Sequence, residues 1–175
     1  ILAPLAGRLA SILGPRLEGP AFRVESRRQE AEGAVWVDLA HDGWAATFGL
    51  AHERRLYLDI RADELRGEDR LAPVSGAKPR QLAAPYALCF HLHPEVQVSL
   101  ARDRKSVLLR GPSGRGWWFR NDAAEVSVEP GAWFEGGVPR KASQIVLRGV
   151  ARTDGATRVR WKVGPVTGSE SGQLL

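Results

Sequence analysis

The stretch Arg55-Leu56-Tyr57-Leu58-Asp59-Ile60-Arg61 sets Leu56, Leu58 and Ile60 two residues apart, with polar or amphipathic side chains between them. Successive side chains of an extended strand point to opposite faces, so this spacing gathers the three aliphatic groups on one side of a sheet. Outward from it the same period recurs. Val35, Val37 and Leu39 alternate with Trp36 and Asp38, and Tyr86, Leu88, Phe90 and Leu92 share a face. Val96, Val98 and Leu100 follow the break at Pro94, with further short runs at 107–109, 117–119, 126–128, 145–147 and 159–163. Asp103-Arg104, Ser113-Gly114, Glu129-Pro130-Gly131, Gly136-Gly137 and Thr153-Asp154-Gly155 separate them and read as turns or loops. The pattern predicts an all-β fold, an antiparallel β-sandwich of about ten to twelve strands with little helix.

A chain of 175 residues has room for one such domain. Residues 1–14 are expected to form an N-terminal remnant, a short helix or a strand, interrupted by Pro4 and Gly7 and ended by Gly14-Pro15. The β-sandwich is expected over 15–166 and a Gly/Ser-rich flexible tail over 167–175. Residues 72–85, with three prolines, read as a long loop. No methionine occurs, even at position 1, which points to a processed chain or part of a longer product. The single Cys89 cannot form an internal disulfide, and its apolar neighbours predict a buried, inert thiol. No apolar run is long enough to span a membrane.

A net charge of +5 and a pI near 10.0 favour polyanionic partners. Nucleic acid, anionic polysaccharide and acidic membrane surfaces meet that test equally. No zinc finger, glycine-rich phosphate loop or RNA-binding signature is present, so nucleic acid is not expected.

Four places carry candidate chemistry. His41, after a strand and beside Asp42-Gly43, is a catalytic candidate: an exposed imidazole whose pKa Asp42 raises. In the structural alternative, Asp42 caps backbone amides and Trp44 covers the core. His91 and His93, two apart, are metal-ligand candidates, although a closed site needs further ligands. Arg158, Arg160 and Lys162 form a cationic row suited to sulfates or carboxylates, or a solvated strand face that blocks aggregation. In Trp117-Trp118, adjacent residues face opposite ways. One is therefore core, and the other, taken as Trp118 with Arg115 and Arg120, is placed to stack on a sugar or meet another domain.

The stretches 35–44, 48–58, 65–71, Phe90-His91-Leu92-His93-Pro94-Glu95-Val96 and 111–119 together resemble, in order and spacing, the C-terminal half of heparinase II/III-like proteins. The resemblance covers about residues 15 to 165. Trp44 stands where that family more often has Tyr, so no phenol-dependent role is carried over. The resemblance implies a bacterial enzyme in which an α-helical toroid packs on a β-sandwich and cleaves uronate-containing polysaccharide, such as a glycosaminoglycan, by elimination. A base removes the C5 proton, an acid protonates the leaving oxygen, and these groups come largely from the toroid. An early H-x-H-x-D element, with a metal in some members, is not found in this sequence.

The leading expectation is therefore the β-sandwich part of a polysaccharide lyase-like protein, inactive without its N-terminal toroid. No cofactor is expected in this fragment, though a divalent metal is possible in the full-length protein. The alternatives are a non-catalytic module binding anionic glycan and a purely structural sandwich. Periplasmic, secreted and cytoplasmic settings all remain open.

Overall fold

The computed structural model describes residues 22–77 and 81–166, so the expected N-terminal remnant and C-terminal tail lie outside the described residues. In chain order the elements are β1 (Val24–Ala31), β2 (Ala34–His41), α1 (Ala45–Phe48), β3 (Leu50–Asp59), β4 (Glu64–Pro73), β5 (Ala83–His91), β6 (Gln97–Leu100), β7 (Val107–Arg110), β8 (Gly116–Asn121), β9 (Glu125–Glu135), β10 (Val138–Arg152) and β11 (Thr157–Pro165). They build an eight-stranded sheet, β1-β2-β3-β4-β11-β8-β7-β6, and a three-stranded sheet, β5-β10-β9, with antiparallel neighbours throughout. The all-β expectation holds, and no described helix is long and apolar enough to cross a membrane.

The core lies between the sheets. Leu88, Val126, Ile145 and Leu147 of the small sheet meet Val107, Phe119, Val159 and Trp161 of the large one. Side chains of this size each contribute about 1.5–3 kcal/mol when removed from water. Phe90, Phe119 and Trp161 interlock, the last two stacked with centroids 6.0 Å apart. A second cluster, Leu50, Ala84 and Ala151, closes one end beside α1. Beyond β3 the large sheet overhangs its partner. β1 is exposed along its whole length, and Leu39 and Leu58 remain partly open on the inner face.

Glycine is required where β4 passes β11. Gly67 pairs with Trp161, and a Cβ there would fall inside the indole. The Gly136-Gly137 turn joins β9 to β10, both residues in the left-handed region at φ 58 and 83.

Three expectations need correction. Glu129-Pro130-Gly131 is not a turn but the middle of β9, paired with Gln144, Ser143 and Ala142. An edge strand tolerates proline because its missing N–H can fall on the solvent side. Cys89 is exposed rather than buried. Ala84 and Leu88 are buried on the inner face of β5, so period two turns the thiol outward. Finally, α1 is an unpredicted helix of four residues, ended by Gly49 at φ 70.

Candidate functional site

Pairing register assembles a polar cluster on the inner face, at the edge of the small sheet's cover. His41, near the end of β2, lies opposite His52 of β3. Two residues further along β3, on the same face, Arg54 lies opposite Asp69 of β4. Trp161 reaches Asp69 from β11.

Asp69 is 2% exposed and fully engaged. Oδ1 accepts from His52 Nε2 at 2.7 Å and from Arg54 Nε at 2.7 Å, and Oδ2 accepts from Trp161 Nε1 at 2.8 Å. Burial alone raises the pKa of this carboxyl. The hydrogen bonds from His52, Arg54 and Trp161, with the Arg54 charge, outweigh it and hold the pKa below the ordinary value. Arg54 is held over the faces of Phe90 and Trp161, at 5.4 and 5.8 Å from their centroids.

The hydrogen bonds have one consistent direction. An ionised carboxylate only accepts, so His52 Nε2 carries the proton. With both rings neutral, His52 Nδ1 accepts from His41 Nε2 at 3.2 Å. His41 Nδ1 then faces the Gly43 N–H at 3.3 Å. Desolvation first, then the neighbouring His52, lower the His41 pKa below 6.5, with Asp42 raising it in part. Phe22 and Trp44 flank the ring at 5.6 and 6.4 Å. The result is a half-buried, neutral imidazole tied through a second imidazole to a buried carboxylate. It is oriented to accept a proton at Nδ1 once the long Gly43 contact opens.

His41 thus belongs to this cluster, though its partner is His52 rather than Asp42. Asp42 accepts the Arg23 amide at 2.8 Å, as the structural alternative has it, whereas Trp44 is 47% exposed and does not cover the core. Sequence reasoning held His52, Arg54 and Asp69 only within the stretches that carry the family resemblance and gave them no role, and it missed Trp161 as a site residue. The signal was His52 and Arg54 sharing a face within a strand that otherwise places Leu56 and Leu58 there.

The other candidates are dispersed. His91 ends β5, and His93 lies beyond it, against the Trp133 ring and 3.8 Å from Glu95. Among the described residues no three His, Cys, Asp or Glu side chains form a metal-binding group. The His41–His52–Asp69 cluster does not fit a divalent cation, because Arg54 already occupies the carboxylate. Arg115 packs over Trp117, and both donate to Asp63. Trp118, on the opposite face, is only 9% exposed, with the Arg120 guanidinium over its ring at 5.7 Å. Arg158, Arg160 and Lys162 share the outer face of β11. Glu68 lies 3.4 and 3.2 Å from the two arginines, and Glu64 3.3 Å from the lysine.

FtsZ-localized protein C of Caulobacter vibrioides is 48% identical over 169 residues, which cover 94% of this chain and 29% of that protein. The heparan sulfate lyase HepC of Pedobacter heparinus superposes with a TM-score of 0.67 at 11% identity, over 85% of this chain and 22% of its own. A heparinase III superposes with a TM-score of 0.60 at 15% identity, over 83% and 21%. These likenesses to solved structures concern the fold, and the chain spans under a third of each of these proteins. The family model described as Heparinase II/III-like, C-terminal, matches residues 7–162, and the chain belongs to that family.

Proposed function

We propose that this chain is the β-sandwich part of a longer heparinase II/III-like protein that localises with FtsZ and binds an anionic polysaccharide without cleaving it. The observation that carries this is the 48% identity to a protein named for its localisation with FtsZ, far above the likeness to the lyases. The site chemistry agrees. Within the His41–His52–Asp69 cluster every proton-bearing or accepting atom already has a partner, so an eliminative reaction needs further acid and base groups. The basic charge supplies attraction to a polyanion. In the test, full-length protein is mixed with polygalacturonate and heparan sulfate, following both co-sedimentation and ultraviolet absorbance of unsaturated uronide. Retention without new absorbance is expected. Failure to bind either polymer would overturn the reading.

The second reading, that the complete protein is a polysaccharide lyase, is favoured by His41. It is a neutral imidazole at the end of an oriented hydrogen-bond chain, and opening of its long Gly43 contact would free Nδ1 to act beside residues of a helical toroid. Unsaturated product from the full-length protein that disappears in His41→Ala would favour it over the first.

A further inference from the structure

The outer face of the large sheet carries a row that none of the preceding sites uses. Register lines up Trp36 of β2, Tyr57 of β3, Arg66 of β4, Lys162 of β11 and Arg120 of β8 as successive cross-strand neighbours. Five adjacent strands at ~4.8 Å spacing make this row about 19 Å long, running across the strands. It contains no carboxylate. The acids lie in the rows on either side, where Asp38 faces Arg55, Glu68 faces Arg160, and Glu64 reaches Arg66 and Lys162. A shallow groove of about 560 Å³ follows the row, and the carboxylates Asp38, Glu68 and Asp122 line it together with the five cations Arg55, Arg66, Arg120, Arg160 and Lys162.

We infer that this groove is a binding site for an extended acidic glycan, with sugar rings on Trp36 and Tyr57 and carboxylates or sulfates on Arg66 and Lys162. Trp36 is 40% exposed, and its ring lies 5.2 Å from that of Tyr57 at 45°, forming an aromatic trough. Arg66 sits 5.8 Å from the Tyr57 centroid and meets Glu64 through Nε, so its terminal nitrogens are left for an anion. Lys162 uses one ammonium contact, to Glu64. Aromatic rings present the face that C–H surfaces of pyranoses stack upon, and the adjoining cations complement acidic substituents. An acidic peptide fits less well. Extended peptides bind sheets by pairing with edge backbone groups, whereas this row lies on a face whose backbone is already paired.

The site rests on the reading that the domain binds an anionic polysaccharide, and the experiment separates the two. Full-length protein is titrated by calorimetry with polygalacturonate, heparan sulfate, neutral dextran and poly-glutamate. Trp36→Ala should weaken binding to both acidic glycans about tenfold, in line with a stacked ring at a cation-lined site. The double variant Arg66→Gln, Lys162→Gln keeps amide donors beside Glu64 and should flatten the salt dependence, with an unchanged circular dichroism spectrum as the check that it folds. Arg158→Gln, on the same face but off the row, should bind as wild type. Wild-type glycan binding that neither row variant disturbs overturns the groove while leaving the wider reading intact. Binding of neither acidic glycan overturns both. Tighter binding of poly-glutamate, lost in the same variants, replaces the glycan with an acidic protein segment.

Discussion

His52 Nε2 lies 2.7 Å from Asp69 Oδ1, and the same oxygen accepts Arg54 Nε at 2.7 Å, so two side chains of one strand face share one buried acceptor. The site is organised around this carboxylate. A buried anion without partners is costly, and here three donors on two strands offset that cost.

Asp69→Ala leaves the Arg54 cation without its counter-ion and the Trp161 N–H without an acceptor. A loss of about 3 kcal/mol in urea-unfolding free energy is expected, as for one partner removed from a buried pair. The sign of the pH effect follows from the depressed carboxyl pKa. The stabilisation is complete above the ordinary value of 3.8 and is lost as pH falls through the lower folded value. Wild-type stability should therefore fall more steeply than that of Asp69→Asn, which has no proton to bind there, as pH drops below 3.8. Equal slopes would remove Asp69 as the cause.

His41 titrates in the opposite chemical sense, with the same consequence for stability. Its folded pKa lies below 6.5, so the fold favours the neutral ring. Stability is fully present above 6.5 and declines as pH drops through the folded value. NMR titration of the His41 ring should give a midpoint below 6.5, and Asp42→Asn should move it lower still, because Asp42 is the charge that raises it. Asparagine still offers an oxygen to the Arg23 amide, so the turn survives. An upward shift in that variant would contradict the assignment.

Much of the fold was legible because burial on one face imposes period two, as in Leu56 and Leu58 of β3 and Val159, Trp161 and Val163 of β11. β1 escaped notice because its sequence, VESRRQEA, is exposed on both faces and leaves no alternating signature. Glu129-Pro130-Gly131 misled because proline and glycine report local preference, while an edge position removes the penalty they signal. Of the site, only His41 was given a role from sequence. His52, Arg54 and Asp69 converge through strand register, and register depends on which strands pair. The cationic row of β11 was visible in sequence, but its ion pairs with Glu64 and Glu68 were not, for the same reason.

Gly67→Ala tests the close passage of β4 and β11. The added methyl falls within the Trp161 indole, which is held by Phe90, Phe119 and the Asp69 hydrogen bond and has no room to yield. Overpacking of this kind costs about 1–3 kcal/mol or more. Gly76→Ala, where a Cβ meets nothing within 4 Å, bears only the strain of its φ of 77. Thermal denaturation should rank the Gly67 variant well below the Gly76 variant, and the reverse order would refute the packing argument.

The final prediction contrasts two buried tryptophans. Trp161 is 6% exposed and donates to Asp69, whereas Trp118 is 9% exposed and its Nε1 has no partner among the described residues. Replacing either with phenylalanine removes similar volume, so the packing losses largely cancel in the comparison. Trp161→Phe also strips a donor from a buried carboxylate, at about 1.5–3 kcal/mol for a hydrogen bond to a charged group. Trp118→Phe instead discards an N–H that folding has desolvated without compensation, which returns about 1–3 kcal/mol against the lost contacts. Trp118→Phe should therefore be near neutral and Trp161→Phe strongly destabilising under identical urea titration. Equal losses would mean that the Trp118 N–H is satisfied, and that the hydrogen bond to Asp69 adds little beyond the packing of the ring.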